Sequence, residues 1–399
     1  MSIFITGATG YLGSYVTSFL LDQGRDRLTL LVRATDENGA QRKLWRALQL
    51  HRSAAQFRQD LARIDFVFGD ITLPHLGLTA DVYAGLVRRT TSVLHIAASL
   101  NRLSETACLN TNLRGTLAVV RFARQVADQQ GLRRFSHVST VAVAGQRQHE
   151  VVTEDTAIDW NRRDYDPYAR TKKFCEHLVR ELLPDVPLTF FRPSIVMGDA
   201  RFPQTTQFDM VQTFCTLADF PVLPFRPEGR IDIVNADFVG RAVATLHTRE
   251  RTSHEIYHLS SGTASRTLGD IVEALTSYRG QRPTRFVPSL QAPFAALVDG
   301  ARSLPGRHAA TRLAVLLKVF LPYITFDTVF DNTRVCQELG AQPVPFPTYC
   351  GPLYDYAKGV GYAFPYNDDY GRDRDGASNR GPGTGSIPPD VSERAATST

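Results

Sequence analysis

The sequence predicts an α/β fold with a doubly wound parallel sheet, a smaller second region and a disordered C-terminal tail. Over the first 200 residues, short β-branched runs alternate with longer amphipathic segments, which is the pattern of parallel strands joined by crossover helices. The first strand leads directly into a glycine-rich segment, and a helical pattern opens at Tyr11. After Gly198 the periodicity loosens and prolines punctuate aromatic-rich segments, which indicates a less regular region.

We predict six strands in the first 200 residues, with helices between them, and two later strands. The early strands are Ser2 to Thr6, Leu28 to Val32, Asp65 to Phe68, Ser92 to Ile96, Arg134 to Ser139 and Leu188 to Arg192, and the late ones are Ile231 to Val234 and Ile256 to Leu259. The clearest helices are Tyr11 to Leu21, Asn112 to Gln129 and Tyr168 to Leu183. Residues 1–198, completed by 230–262, are expected to form the sheet domain, and residues 199–229 and 263–366 the smaller region.

Residues 367–399 are predicted to be a disordered tail. They are rich in Gly, Pro, Ser and Asp and have almost no large apolar side chains, so burial cannot offset the entropy that ordering would cost. No fixed-period repeat occurs in the chain, which excludes solenoids and propellers.

Composition and charge narrow the function classes. The 399 residues carry 45 Lys and Arg against 40 Asp and Glu, and the net charge of +5 is too small to indicate a nucleic-acid partner. The five cysteines lie far apart without paired spacing, so we expect reduced thiols, a cytoplasmic location and no metal site. The N-terminus predicts no signal peptide, and the apolar stretch 313–324 is too short to cross a bilayer.

Three glycines, Gly7, Gly10 and Gly13, follow the first strand. Gly7 permits a tight turn, Gly10 lets backbone N–H groups approach a pyrophosphate, and Gly13 lets the helix pack closely on the strand. The positive N-terminal end of the helix would then face the pyrophosphate. Because the pattern stands between a strand and a helix, it favours a dinucleotide site over plain turns.

Arg33 ends the second strand, at the point where NAD-binding proteins usually carry an acidic residue for the ribose 2′-hydroxyl. A guanidinium suits a 2′-phosphate instead, and Arg42 and Lys43 on the following helix add positive charge. This arrangement predicts NADP(H) rather than NAD(H). The alternative is that Arg33 is a solvated cation at the strand end.

Residues after the third and fourth strands are expected to complete the cofactor site. Asp70 and Ile71 would flank the adenine, and Ala97 and Ala98 would line the ribose. Small side chains there let a flat ligand lie against the backbone. On their own, these segments also fit ordinary strand-to-loop transitions.

Tyr168 and Lys172 lie four residues apart and therefore on one face of a helix. A tyrosine near its ordinary pKa of about 10 is a weak acid at neutral pH, and a neighbouring cation lowers that pKa and supplies a route for proton relay. We expect Lys172 to do this while holding the nicotinamide ribose. Without their context, the two residues also fit the surface of many helices.

Two further polar positions are expected beside this pair. Thr140, at the end of the fifth strand, can donate a hydrogen bond to a substrate oxygen that becomes an oxyanion, and Ser139 is the competing candidate. Asn112 opens the helix that should pack beneath the site. It is either a polar support for the Lys172 relay or a helix cap, and the sequence leaves both open.

These motifs together resemble an extended short-chain dehydrogenase/reductase, a family with a Rossmann fold. The segments TGATGYLG, GDIT, HIAA, NTNLRGT, HVSTVAVAG, YARTK and FRPSIVMGD occur in that family's order over roughly residues 1–260. Within the family, LLVRA, HVST, YARTKKFCEHLVREL and RPSIV are similar to the male-sterility type, the branch of thioester reductases and fatty acyl-CoA reductases. The resemblance implies that Thr140, Tyr168 and Lys172 are the catalytic triad, with Tyr168 as proton donor. It also implies that residues 231–239 supply the late strand and helix start that close the sheet.

The candidate cofactor-binding residues combine the glycine-rich loop, the strand ends and the resemblance. They are Gly7, Thr9, Gly10, Tyr11, Leu12, Gly13, Arg33, Arg42, Asp70, Ile71, Ala97, Ala98, Asn112, Tyr168, Lys172, Pro193 and Ile195.

The less regular region carries more large apolar side chains than the sheet needs. They are Phe202, Phe208, Met210, Phe214, Phe220, Phe225, Phe294, Leu313, Leu316, Leu317, Phe320 and Leu321. They either wall a tunnel for an acyl chain or form the core of a small domain. Residues 293–324 also carry Arg302, Arg307, Arg312 and Lys318. Such a segment can rest on an anionic membrane surface or receive the phosphate of a coenzyme A or carrier-protein arm, and the four charges equally fit a solvated face.

The function expected from these features is NADPH-dependent reduction of an acyl thioester, bound to coenzyme A or an acyl carrier protein, to an aldehyde. The sequence leaves open whether the aldehyde is reduced further to an alcohol. The alternative within the same family is an NADP(H)-dependent ketone or secondary-alcohol oxidoreductase or an epimerase acting on a polyketide, sterol or sugar derivative. A non-catalytic NADP-sensing module is a third hypothesis, which the presence of both Tyr168 and Lys172 disfavours.

Overall fold

The computed structural model describes residues 2–24, 26–282, 284–301, 314, 317–318 and 321–371. Seven parallel strands form the central sheet: β1 (Ser2–Thr6), β2 (Arg27–Val32), β3 (Ile64–Phe68), β4 (Ser92–His95), β5 (Phe135–Val138), β6 (Leu188–Pro193) and β7 (Ile256–Leu259). Two-residue strands lie outside this sheet at Val151–Val152, Ile195–Val196, Val222–Leu223, Arg230–Ile231, Ile233–Val234, Arg266–Thr267, Arg285–Phe286 and Val329–Phe330.

Helices separate and follow the strands of the sheet. They are α1 (Tyr11–Gln23), α2 (Glu37–Leu48), α3 (Ala54–Asp60), α4 (Ala80–Arg89), α5 (Glu105–Cys108), α6 (Gly115–Gln130), α7 (Pro167–Leu182), α8 (Asp209–Ala218), α9 (Ala236–Thr248), α10 (Leu268–Tyr278), α11 (Gln291–Ala301), α12 (Thr333–Leu339) and α13 (Cys350–Gly359). A π-helical stretch, Leu109–Arg114, joins α5 to α6 without a break. Short 3₁₀ turns occur at Leu61–Arg63, Pro74–Gly77, Val141–Ala144, Gly262–Ala264, Pro288–Leu290 and Phe346–Thr348.

The strand order is β7-β6-β5-β4-β1-β2-β3, which confirms the predicted doubly wound sheet. The order reverses between β1 and β4, where Thr6 pairs in register with His95. At such a reversal the connections leave the sheet in opposite directions, so a crevice opens at the carboxyl ends of the two strands. The sheet therefore presents its ligand-binding edge beside the loops that follow β1 and β4.

Two layers of apolar side chains hold helices on the two faces of the sheet. On one face α1, α2 and α9 contribute to a cluster that includes Val16, Leu44 and Val243. On the other face α4, α6 and α7 contribute to a cluster that includes Leu86 and Phe122. The strands β1 and β2 between these layers are almost entirely buried. Their sequences are therefore mostly continuous runs of apolar residues rather than alternations of apolar and polar residues.

A third cluster of buried side chains lies in the smaller region. It joins residues from α8, α10 and α13, among them Val211, Ile271 and Leu353, with Phe225. Much of the aromatic content after Gly198 is therefore core material. The exact boundaries of the two regions stay a prediction.

The expectation that residues 231–239 close the large sheet is wrong. Arg230–Ile231 and Ile233–Val234 instead pair with Arg266–Thr267 and Ile195–Val196, and β7 takes the edge place beside β6. The interruption falls at Asp232, whose buried carboxylate accepts hydrogen bonds from the Ser194 hydroxyl and the Ser261 amide. These bonds turn the segment away from the large sheet.

The predicted tail begins too early. The Trp45 indole donates a hydrogen bond of 2.6 Å to the Asn367 carbonyl oxygen. The Tyr370 ring lies 5.1 Å from the ring of Phe57. Residues 367–371 thus pack against α2 and α3, and the remainder of the predicted tail lies outside the described residues.

The described part of residues 293–324 contacts the protein itself. Leu317 and Ile324 are buried in the core of the smaller region, and Lys318 forms an ion pair with Asp299. Arg302, Arg307 and Arg312 lie outside the described residues, as do Leu313, Leu316 and Phe320. Membrane contact by this segment stays a prediction. Within the described part of the chain, no helix has both the length and the apolar character needed to span a bilayer.

Candidate active site

The glycine-rich loop between β1 and α1 is too tightly packed to carry a Cβ at Gly7 or Gly13. Gly7 has a φ of +83°, and a Cβ there would lie 2.5 Å from the Ala97 amide nitrogen. A Cβ on Gly13 would lie 2.0 Å from the Gly7 carbonyl oxygen. Gly10 caps α1, and the first turn of that helix carries no acidic residue. The loop therefore offers backbone N–H groups and a positive helix end, which fits the pyrophosphate of a dinucleotide.

A cavity of about 430 Å³ opens at the carboxyl ends of β1, β4, β5 and β6. Most of the predicted site residues line it: Gly7, Thr9, Gly10, Tyr11, Leu12, Arg33, Asp70, Ile71, Ala97, Ala98, Thr140, Tyr168, Lys172, Pro193 and Ile195. Gly13, Arg42 and Asn112 do not line it. The fold thus brings the glycine-rich loop and the Tyr168 region to a single cavity, and the roles of the individual residues stay predictions.

Arg33 stands where the cavity opens to solvent. An adjoining open groove is lined by Arg33, Gly39, Lys43 and Asp70. The Lys43 ammonium donates a hydrogen bond to the Arg33 carbonyl oxygen, so two cations face this end of the site. Arg42 is exposed and lines neither space. The preference for NADP(H) over NAD(H) stays a prediction.

Asn112 is not a helix cap, and its role as a polar support for the Lys172 relay stays a prediction. It lies inside the π-helical stretch and is fully buried. Its side-chain oxygen accepts from the Ser99 amide at 2.7 Å, and its amide nitrogen donates to the Thr171 hydroxyl at 3.1 Å. Asn112 therefore ties the loop after β4 to α7.

The three proton-transfer candidates come from two elements. Tyr168 and Lys172 lie on α7, and Thr140 follows β5. The Lys172 ammonium donates a hydrogen bond of 2.7 Å to the Val138 carbonyl oxygen. The Thr140 hydroxyl accepts from the Ala142 amide at 3.3 Å and donates to the Pro193 carbonyl oxygen at 3.5 Å. Ser139 also lines the cavity, so the geometry places both hydroxyl candidates within it.

Burial controls the acidity of Tyr168 and Lys172. It raises the pKa of Tyr168 well above its ordinary value, and the cation that opposes this rise is Arg102. Burial also lowers the pKa of Lys172 to about 8. The expectation that Lys172 lowers the pKa of Tyr168 stays a prediction. The Lys172 ammonium is hydrogen-bonded to the Val138 carbonyl oxygen, and the guanidinium of Arg102 lies over the tyrosine ring.

Sequence reasoning missed three residues beside Tyr168. Arg102 and Tyr323 line the cavity, and Asp166 pairs with Arg102. Asp166 could have been found, because Asp followed by Pro at the start of a helical pattern is a helix N-terminus signal. No signal in the sequence connects Arg102 to Tyr323, which are more than 200 positions apart.

A smaller apolar cavity of about 60 Å³ continues from the main one. Ile195 and Met210 line both cavities, and Phe214 and Leu217 line the apolar one. The helix α8 contributes to the core of the smaller region and also to the wall of this cavity. The use of the cavity as a tunnel for an acyl chain stays a prediction. Phe202 instead packs near His51, with ring centres 6.5 Å apart.

A family of NAD-binding domains described as Male sterility protein matches residues 5–243, more than half of the chain. The match supports a nicotinamide dinucleotide as the cofactor. Among curated relatives, the nonribosomal peptide synthetase asaC of Aspergillus flavus is 26% identical over 269 residues, which are 64% of this chain and 26% of that protein. The protein named "Putative fatty acyl-CoA reductase CG8303" of Drosophila melanogaster is 24% identical over 298 residues, covering 65% of this chain and 55% of that protein. The chain thus spans about a quarter of the first relative and about half of the second.

Solved structures show the same fold. The terminal R domain from the myxalamid PKS-NRPS biosynthetic pathway has a TM-score of 0.77 at 23% identity, covering 90% of this chain and 91% of that chain. UDP-glucuronic acid 4-epimerase from Bacillus cereus, solved with UDP-glucuronic acid and NAD, has a TM-score of 0.60 at 20% identity and covers 90% and 100%. The higher TM-score belongs to the R domain.

Proposed function

Because this chain belongs to the family of NAD-binding domains described as Male sterility protein, we propose that it is an NADPH-dependent oxidoreductase that reduces acyl thioesters. The observation that carries the proposal is that Thr140, Tyr168 and Lys172 line the same cavity as the glycine-rich loop. The relatives support this chemistry, because one of them is named a putative fatty acyl-CoA reductase and a fatty acyl-CoA is a thioester. Of the two solved structures compared above, the R domain has a higher TM-score than the epimerase.

In this proposal the chain's own residues polarise the carbonyl group of the thioester, protonate its oxygen and hold a positive charge near the proton donor. Bound NADPH supplies a hydride to the carbonyl carbon of the thioester. Thr140 donates a hydrogen bond to the carbonyl oxygen, and Tyr168 transfers its proton to the same oxygen, which gives a hemithioacetal. Lys172 holds a positive charge beneath Tyr168 while fixed to Val138.

Breakdown of the hemithioacetal releases the products. The C–S bond breaks with its electron pair on sulfur, and the hydroxyl proton returns to the Tyr168 oxygen. The thiolate takes a proton from solvent, so the products are one aldehyde and one thiol. An aldehyde that stays in the cavity meets the same groups and can be reduced to an alcohol with a second NADPH.

The preference for NADPH rests on charge at the outer end of the cavity. Arg33 and Lys43 line the open groove there. The nearby Asp70 carboxylate already accepts hydrogen bonds from the Thr72 amide and hydroxyl, both at 2.8 Å. A 2′-phosphate would meet two cations and an engaged carboxylate, whereas a 2′-hydroxyl would lack a carboxylate acceptor at the end of β2.

The preference for an acyl chain rests on the apolar extension behind Ile195 and Met210. Its lining is almost wholly apolar, so it suits the hydrocarbon end of a substrate rather than a nucleotide sugar. The thiol arm would then reach the cavity from the solvent side, carried by coenzyme A or by an acyl carrier protein.

Product analysis tests the proposal. The full chain is given NADPH with long-chain and short-chain acyl-CoA thioesters, a carrier-protein thioester and a panel of ketones, and it is given NADP⁺ with the secondary alcohols. The change in NADPH concentration and the release of thiol are followed together. We expect thiol to appear in proportion to the NADPH consumed. Turnover of ketones or alcohols without any thiol release would replace this function by the ketone or alcohol alternative.

A further inference from the structure

Arg102 lies over the face of Tyr168. It belongs to the loop that leads from β4 to α5, and its guanidinium carbon is 4.7 Å from the centre of the Tyr168 ring. Both residues line the main cavity, and the Arg102 side chain is only 19% exposed. A cation in this position is attracted by the ring and stabilises negative charge on its oxygen.

Asp166 and Tyr323 help to hold the guanidinium in place. The Arg102 Nη1 donates a hydrogen bond of 2.9 Å to Asp166 and one of 2.8 Å to the Tyr323 hydroxyl. Asp166 is also the N-cap of α7, where its other carboxylate oxygen accepts from the Ala169 amide at 2.8 Å. Because α7 carries Tyr168, the arginine is tied to the same helix end that places the tyrosine.

Tyr323 connects this cluster to the smaller region. Its ring stacks on that of Tyr165 with 4.7 Å between centres and 13° between planes. The Arg102 guanidinium carbon lies 5.4 Å from the Tyr323 ring centre. Arg102 thus stands between two tyrosine rings, one on α7 and one from the wall that covers the cavity.

The groups around Tyr168 shift the pKa of its phenol in opposite directions. Arg102 lowers the pKa of the phenol, whereas burial, Tyr323, Asp166 and Cys108 raise it. Lys172 lies one turn further along α7, bound to Val138. Arg102 is therefore the cation set directly against the phenol ring, and its charge is partly balanced by Asp166.

We propose that Arg102 is a positioning residue that makes Tyr168 a stronger proton donor by holding a positive charge over its ring, with Asp166 tuning the strength of that charge. The proposal rests on the function proposed above, in which Tyr168 protonates the substrate oxygen. It assigns to the loop after β4 a role in the acid–base step as well as in lining the cavity.

Two substitutions of opposite sign test the proposal. Arg102→Gln removes the cation, so the pKa of Tyr168 should rise. The high-pH limb of the profile of kcat against pH should then move to higher pH, and kcat at neutral pH should fall about tenfold. Asp166→Asn keeps an N-cap but removes the opposing charge, so the pKa should fall and the basic limb should move to lower pH. Arg102→Lys should restore most of the rate, and the KM for NADPH should stay within about twofold in all three variants.

A second readout needs no substrate. A fluorinated tyrosine at position 168 is titrated by fluorine NMR in the wild type, Arg102→Gln and Asp166→Asn. Opposite shifts of the phenol pKa are expected, and unchanged or same-direction shifts would overturn the proposal. If the wild type reduces no thioester but the two pKa shifts are opposite, the proposed function fails while the assignment of Arg102 stands. If the wild type reduces thioesters but the phenol pKa is the same in all three proteins, the proposed function stands and the assignment of Arg102 fails.

Discussion

The Lys172 ammonium lies 2.7 Å from the Val138 carbonyl oxygen, so a cation on α7 is anchored to the carboxyl end of β5. Lys172 is 1% exposed. An ammonium at this depth has lost most of its hydration, and burial lowers its pKa to about 8. The chain therefore holds a lysine whose charge is sensitive to pH near neutrality.

The first prediction concerns pH and stability. The pKa of Lys172 is about 8 in the folded chain and about 10.4 in the unfolded chain, so between these values the unfolded state binds more protons. The free energy of unfolding of the wild type, relative to Lys172→Met, should rise by about 2 kcal/mol between about pH 8 and about pH 10. Urea unfolding at both pH values measures this, and a difference that does not change with pH would contradict the assigned pKa.

The second prediction concerns a buried ion pair below α7. Arg192 donates two hydrogen bonds to Glu176, at 2.9 and 2.6 Å, and the side chains are 3% and 0% exposed. Glu176→Gln leaves a buried guanidinium without its charge partner and should cost about 3–5 kcal/mol of stability.

The matched control for this pair is Asp65→Asn. It breaks the Arg27–Asp65 pair, whose side chains are 54% and 32% exposed, and should cost less than about 1 kcal/mol. Chemical denaturation compares the two variants. Equal losses of unfolding free energy in the two variants would show that burial does not determine how much the Glu176–Arg192 pair contributes to stability.

The third prediction concerns cofactor choice. Arg33→Asp should weaken NADPH binding far more than NADH binding, because the new carboxylate repels a 2′-phosphate and accepts from a 2′-hydroxyl. Arg42→Asp makes the same charge change at an exposed position outside both cavities and should have a smaller effect. Calorimetric titration with each cofactor measures the change, and an equal loss for both cofactors in Arg33→Asp would argue against the NADPH preference.

The fourth prediction concerns the glycine-rich loop. A Cβ on Gly13 would lie 2.0 Å from a backbone carbonyl oxygen, so Gly13→Ala must move the loop away from α1. We expect a loss of NADPH affinity of at least about tenfold together with a lower melting temperature. Gly85→Ala is the control, since a Cβ there meets nothing nearer than 3.8 Å and should leave both properties nearly unchanged. Normal binding by Gly13→Ala would contradict the tight loop.

The strands and the glycine-rich loop could be predicted because their signals are local. β1 and β7 match the predicted bounds, and the other central strands differ by one residue at one or both ends. The same holds for the site: the order of motifs along the chain was enough to place Tyr168, Lys172 and Gly7 at one cavity, because parallel strands bring their carboxyl ends to one edge.

What could not be predicted depends on partners far apart in the sequence. The cation over Tyr168 comes from a loop 66 positions earlier, and its partner Tyr323 lies in the smaller region. Asp232 interrupts a plausible strand because Ser194 and Ser261 meet it. Residues 367–371 are mostly polar, and the packing of Tyr370 on Trp45 of α2 and Phe57 of α3 depends on partners more than 300 positions away.

The most direct test of the account is the rate of thiol release from a long-chain acyl-CoA with saturating NADPH, measured for the wild type and for Tyr168→Phe. Removing one hydroxyl leaves the ring and the cavity in place, so NADPH should bind as before while thiol release falls at least about a hundredfold. A Tyr168→Phe variant that releases thiol at the wild-type rate would contradict the central claim that Tyr168 is the proton donor.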